Sequence, residues 1–386
     1  MVVNRKITNT VKGLMKKYPI LAVTGPRQSG KTTFLKTTFD DYEYISLENP
    51  DARRFAENDP NGFLERYNEK VIFDEVQRVP QLFSYLQTLV DESGKMGQFI
   101  LSGSQNFHLM HNITQSLAGR VALCKLFPFD NQELNSEGWL AEDYILNIIK
   151  GCYPAIYDRD IEPKVFYTNY VQTYIQPDVS ELIAIKDMHS FRRFIDLCAT
   201  RAGQLLNLNA LANECGISQP TAKAWLSALE SSYIVFLLYP FHQNFSKRII
   251  KTPKMFFYDS GLLCHLLKIN NAEQLINQSI KGALFENWMI AEYLKRMYHK
   301  NELQTDIWFW RDVAGNEVDL LVQKPTGNEV FEIKATQTIM PDLFKGLNYF
   351  SNLAKEDDLK KTLVYGGLEN QSRTAGKVIS WKDFGK

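Results

Sequence analysis

The sequence predicts an α/β protein of two or three domains, opening on a parallel sheet covered on both faces. Short apolar runs alternate with helical stretches from Ile20 to about Phe129. The runs at residues 20–24, 44–47, 71–73, 99–102 and 121–126 are mostly unalternating, as strands buried on both faces are. A chain of 386 residues also exceeds what one ordinary core organises. Strands alternating with helices stack as α/β layers.

Composition narrows the class. A hydrophobic content of 45% with 23% charged residues is that of a soluble globular protein. The 44 basic side chains balance 44 acidic ones, so no global field draws the chain to nucleic acid. Any such binding must rest on local basic patches. The five cysteines, Cys124, Cys152, Cys198, Cys215 and Cys264, form no C-x-x-C pair, which speaks against a zinc site or disulfide framework and fits a reducing cytoplasm. Residues 1–18 lack the apolar core of a signal peptide, and the longest apolar run, 233–241, is too short to span a bilayer. A cytoplasmic protein without membrane contact is expected.

The first strand leads into Gly25-Pro26-Arg27-Gln28-Ser29-Gly30-Lys31-Thr32, which matches G-x-x-x-x-G-K-[ST]. The glycines let the backbone curl so that successive N–H groups face phosphates. Lys31 then reaches the β- and γ-phosphates and the Thr32 hydroxyl ligates magnesium. The helix starting near Lys31 aims its positive end at the same anion. Gly25 through Thr33 are therefore the expected binding residues for ATP and Mg2+. Val71-Ile72-Phe73-Asp74-Glu75 supplies a buried strand ending in two carboxylates at the sheet's C-terminal edge. Asp74 would hold magnesium and Glu75 would polarise the attacking water, which suits hydrolysis better than phosphotransfer to another substrate.

Residues 99–105 form another strand with a small polar end, Ser102-Gly103-Ser104-Gln105. Here the chain resembles the AAA+ ATPases. The resemblance implies a γ-phosphate sensor at Ser104, or at its neighbour Gln105. It also makes Arg120 a finger acting at a neighbour's γ-phosphate, which would imply assembly. A solvated arginine, or one paired with a carboxylate, is the plain alternative.

Residues 130–201 read as mostly helical, a lid-like segment punctuated by Pro154, Pro163 and Pro177. Residues 208–218 followed by 221–229 have helix-turn-helix grammar: Leu208, Leu211 and Ala212 make one apolar face, Gly216 the turn, and Ser218 a cap. A strand at 233–238 and the basic stretch Lys247, Arg248, Lys251 and Lys254 would complete a winged helix. Its second helix offers only Gln219, Thr221 and Lys223 to base edges, while the wing lysines and arginine suit phosphates. A winged helix used for packing or for a protein partner fits equally.

Residues 281–296 read as an amphipathic helix, followed by a three-stranded meander at 307–312, 317–323 and 329–335. Period two sets Glu317 and Asp319 on one face, opposite Val318, Leu320 and Val322, and it pairs Glu332 with Lys334. Folding the hairpin brings Asp319 near Glu332, where two carboxylates could hold Mg2+ or Mn2+ and the lysine could stabilise developing charge. This resembles the PD-(D/E)xK nucleases, which implies a catalytic set of Glu286, Asp319, Glu332 and Lys334. A solvated charged face, or a silent core kept for protein contact, is the alternative.

The order of these units resembles a bacterial and archaeal family of AAA+ ATPases with a C-terminal domain of unknown function. The expected organisation is an ATPase domain at 1–130, a helical segment at 131–202, a winged helix at 203–270 and a nuclease-like domain at 271–386. The leading expectation is a DNA-associated ATPase with a metal-dependent nuclease-like domain. The alternative is a nucleotide-controlled switch whose C-terminal half binds protein and cuts nothing.

Overall fold

Consecutive residues of the first strand enter opposite cores. Ile20 and Ala22 face one hydrophobic cluster, and Leu21 and Val23 face another. That double burial is why the run carries no polar alternation. The computed structural model describes residues 3–103, 116–179, 187–241, 251–302, 306–356 and 358–385, with the side chains of 176–178 also left undescribed. Ser104 and Gln105 lie outside the described residues, as do Lys247 and Arg248.

Five strands, β1 (Ile20–Thr24), β2 (Glu43–Ser46), β3 (Val71–Asp74), β4 (Phe99–Gly103) and β5 (Val121–Lys125), form one parallel sheet in the order β2-β3-β4-β1-β5. Inserting β4 between β1 and β3 aligns Val23, Ser102 and Asp74 across three neighbouring strands. The loops leaving the C-terminal ends of these strands therefore open on one crevice, where α/β sheets bind ligands.

Two of the three prolines expected to punctuate the helical segment open helices, whereas Pro177 falls inside the helix Val171–Val179. Pro154 and Pro163 open the helices Pro154–Asp158 and Pro163–Tyr170, where the missing N–H costs nothing. The helix Asn131–Ser136 begins on a capping box between Asp130 and Glu133.

Helices Leu208–Cys215 and Gln219–Ser231 are joined by a turn in which Gly216 has φ 69°. Ser218 Oγ accepts the Thr221 N–H at 3.2 Å. An antiparallel ribbon of β6 (Val235–Leu238) and β7 (Lys254–Phe257) follows.

The last layer is a six-stranded sheet, β12-β13-β11-β10-β9-β8. Its strands are β8 (Ile307–Arg311), β9 (Glu317–Val322), β10 (Glu329–Lys334), β11 (Lys360–Tyr365), β12 (Gln371–Arg373) and β13 (Gly376–Ser380). The meander β8-β9-β10 is antiparallel, whereas β10, β11 and β13 run parallel. Val318 does not share a face with Leu320 and Val322. It packs with Leu321 in a different core, beside a slip in the β8–β9 ladder between Trp308 and Trp310.

One expectation is corrected outright. The helix Lys281–His299 is buried nearly all round, including Glu292, Lys295, Arg296 and His299. Its ionic groups are where other layers attach: Lys295 Nζ donates to the Phe129 carbonyl at 3.0 Å, and Glu292 Oε2 accepts the Asn131 N–H at 2.7 Å. Polar residues that suggest a wet face in sequence are contacts between layers.

Candidate functional sites

The loop after β1 is shaped by two glycines. Gly25 has φ 148°, and a Cβ there would collide with the Leu126 carbonyl. Gly30 sits left-handed at φ 89° immediately before the helix Lys31–Thr38, so that the helix starts at the loop's mouth. Lys31 Nζ donates to the carbonyls of Gly25 and Pro26, both at 2.9 Å. Burial pushes this ammonium down to about 8, with Glu75 and Asp74 pulling the other way. The Ser29 hydroxyl is fully buried and has no hydrogen-bond partner among the described residues.

Asp74 ends β3 against the loop. Thr32 Oγ1 donates to its Oδ2 at 3.0 Å and Tyr44 Oη at 2.5 Å, while Ser102 Oγ donates to Oδ1. Glu75 takes a left-handed turn at φ 54°, and the Gln77 side-chain amide donates to its Oε2. Gly103 leaves room for that amide, since a Cβ there would strike it. An alcohol and a carboxylate at hydrogen-bond distance are oxygen donors of the kind magnesium takes beside phosphates. The loop, the lysine and this pair therefore fit a magnesium–nucleotide complex.

Arg5, Tyr44, Gln77 and Ser102 are parts of this site that sequence reasoning missed. Arg5 is buried, donating to Glu133 Oε1 at 3.0 Å, to the Ser29 carbonyl at 3.1 Å and to the Phe127 carbonyl at 2.6 Å. It ties the phosphate loop to the helical segment. A polar residue ending a buried strand was the available signal for Ser102; nothing local marks Arg5. Beside Gly30 and Thr33 a cavity of about 460 Å3 is walled by Trp139, Pro154 and Tyr170 of the helical segment.

Arg120 precedes β5, at the edge of the sheet opposite the phosphate loop, and pairs with both carboxylate oxygens of Asp91 at 2.6 and 2.7 Å. Within one chain it cannot reach this crevice.

The C-terminal carboxylates are brought together with two lysines. Asp319 Oδ2 accepts the Ile333 N–H at 2.8 Å and Lys334 Nζ at 3.1 Å, and Lys334 Nζ lies 2.7 Å from Glu332 Oε1. Lys254 Nζ lies 2.9 Å from Glu286 Oε1 and also pairs with Glu317. Lys254 is only 3% exposed, which corrects its assignment as a wing residue for DNA phosphates: its charge is spent inside the protein. Burial raises Glu286 to about 7 against the pull of Lys254, and raises Glu332 to about 8, with Asp319 adding and Lys334 opposing. Although burial works against their charge, the same carboxylates hold both lysines above the usual range. Among the described residues no group of three or more His, Cys, Asp or Glu is arranged to hold a metal ion. The expected second cation site is therefore filled by ammonium groups, apart from Glu332 Oε2, which has no hydrogen-bond partner among the described residues.

No helix among the described residues is long and apolar enough to cross a membrane. Residues 17–135 match the AAA domain family, 141–273 a domain of unknown function (DUF8612) and 281–384 another (DUF4143). Uncharacterized proteins of Mycobacterium tuberculosis and Mycobacterium bovis are each 30% identical over 352 residues, covering 88% of this chain and 75% of the relative. Among solved structures, a Walker-type ATPase of Pyrococcus abyssi aligns with 69% of this chain and 96% of its own at 13% identity and a TM-score of 0.45. The ADP form of the Aeropyrum pernix ORC2 protein aligns with 61% and 87% at 13% identity and a TM-score of 0.34.

Proposed function

Because the chain belongs to the same family as the two mycobacterial proteins, with an AAA domain built on a P-loop ATPase sheet, we propose that it hydrolyses ATP and passes its nucleotide state to its C-terminal half. The observation that carries this reading is the meeting of Lys31, Thr32, Asp74 and Glu75 at one crevice. Lys31 binds phosphate oxygens, and the loop N–H groups fix their orientation. Thr32 and Asp74 would hold magnesium, which when bound would offset phosphate charge. Glu75, steadied by Gln77, accepts a proton from the attacking water. The cavity walled by Trp139 and Tyr170 would receive the adenine, which would let the nucleotide bridge the sheet and the helical segment.

The state of that crevice has a route onward. Thr24 Oγ1 is 2.8 Å from Tyr233 Oη, and Lys125 Nζ donates to Tyr298 Oη at 3.2 Å. Tyr298 and Glu286 lie on one helix, about 18 Å apart along its axis. A shift at the sheet edge would therefore reach the C-terminal carboxylates as a rigid-body movement.

Lys31→Ala is expected to weaken ATP binding ~10–100-fold, the value of charge-assisted hydrogen bonds to phosphate. In the wild type, affinity should fall as pH rises past about 8, where the free ammonium loses its proton and must regain it to bind. Equal ATP affinity in Lys31→Ala, read by calorimetry, would remove the site assignment.

For the C-terminal half, the lysine-filled carboxylates favour a nuclease-like core kept as a protein-contact module. The exposed Gln219 and Lys223 of the second helix, with Lys251, leave DNA association as the competing reading. Incubation with DNA, ATP and magnesium or manganese should give no cleavage; cleavage that Asp319→Ala abolishes establishes the nuclease instead.

A further inference from the structure

The helix Lys281–His299 carries a buried cation whose hydrogen bonds are unaccounted for. Arg296 is 7% exposed, and its Nε, Nη1 and Nη2 have no hydrogen-bond partner among the described residues. The Asp130 carboxylate comes no nearer to Nε than 4.0 Å. A guanidinium is a planar fork of five donors, and leaving those donors unmade in a buried setting is costly. A fold keeps such a group where oxygen acceptors are supplied from elsewhere.

Arg296 lines a cavity of about 800 Å3. The cavity lies where β10, β11 and β13 begin, against the end of the helix. Lys300, Lys324, Lys360, Lys361 and Lys377 surround it. Three carboxylates, Glu302, Glu329 and Asp383, also line it, leaving an excess of three positive charges. In a chain whose formal net charge is zero, that is a local concentration. Glu329 is shared between Lys324 at 2.6 Å and Lys360 at 3.7 Å. Among the described residues Lys300 and Lys377 have no carboxylate within ion-pair distance. One wall is aromatic: Tyr293, Phe331 and Phe384 stand with ring centroids 5.4 to 5.9 Å apart.

We propose that this cavity is a second anion site, separate from the phosphate loop, which takes a compact polyphosphorylated ligand of the nucleoside polyphosphate class. Arg296 supplies a bidentate fork to one phosphoryl group, and the mobile ammonium groups of Lys300 and Lys377 meet the next. The aromatic wall accepts an apolar or planar portion. The volume suits a small molecule. The cations converge on one concavity rather than tracking along a groove, as a nucleic-acid backbone requires.

The test is calorimetric titration of inorganic tripolyphosphate into the full chain carrying Lys31→Ala, which silences the phosphate loop. One binding event should remain, and adding Lys300→Ala with Lys377→Ala should weaken it about tenfold or more. Both side chains are exposed, so the fold should survive their loss. Arg296→Lys, which keeps the charge and loses the fork, should weaken it as well. No binding in Lys31→Ala, or binding indifferent to the lysine pair, overturns the proposal. A short single-stranded oligonucleotide that binds at lower concentration than tripolyphosphate, with the same lysine dependence, overturns the small-ligand assignment. Should Lys31→Ala leave ATP binding intact, the phosphate-loop reading fails alone, because the cavity is judged on Lys300 and Lys377.

Discussion

Glu75→Gln is expected to bind ATP as tightly as the wild type and to release phosphate ~10²–10⁴ times more slowly, the usual contribution of a positioned general base. The substitution preserves shape, and Gln77 still has an oxygen to which its amide can donate. What disappears is the carboxylate proposed to accept the proton of the attacking water. Asp74, by contrast, is engaged by Thr32, Tyr44 and Ser102, which suits the proposed role of oxygen donor for the cation, with Glu75 as the proposed base. Phosphate release measured beside nucleotide affinity separates the roles. A Glu75→Gln variant turning over at the wild-type rate would move the base elsewhere, and one that loses affinity would give Glu75 a part in binding.

The phosphate loop was legible because its chemistry is written in adjacent residues. A backbone that must curl around an anion needs glycine at two places, and Gly25 and Gly30 stand there with positive φ. The parallel sheet was legible for a similar local reason, since burial on both faces removes alternation. Arg5 was not, because its partners Ser29, Phe127 and Glu133 are spread over more than a hundred residues of sequence. The helix Lys281–His299 misled for a related reason: Glu292 and Lys295 look solvated until their partners on other layers are known. In the C-terminal hairpin, period two sets Asp319 near Glu332, and in the structure Lys334 Nζ stands within 3.1 Å of Asp319 and 2.7 Å of Glu332. The period could not say that Lys254, from a ribbon some sixty residues earlier, would fill the remaining space.

Lys254→Met is therefore expected to destabilise the fold by ~3–5 kcal/mol near neutral pH, the effect of stripping one partner from a buried charged cluster. Methionine keeps most of the volume, so lost packing accounts for little of this. The pH dependence has a definite sign. Glu286 is raised from its ordinary 4.5 to about 7, so between those values the folded chain holds a proton that the unfolded chain has released. The contribution of this group to stability accordingly falls as pH rises through that window. Without Lys254 the main opposition to burial is lost, Glu286 is driven higher still, and the deficit of the variant should be larger above about pH 7 than near pH 4.5. Urea midpoints near pH 4.5 and at about pH 9 measure it; an equal deficit at both would reduce Lys254 to a packing residue. Manganese then distinguishes the two readings of this core. If the space left by the ammonium takes a divalent cation held by Glu286, Asp319 and Glu332, manganese should raise the midpoint of Lys254→Met and leave the wild type unchanged. If the carboxylates are held apart for a structural purpose, the variant stays weak with or without the metal, and Lys254 is the group that makes the core a scaffold.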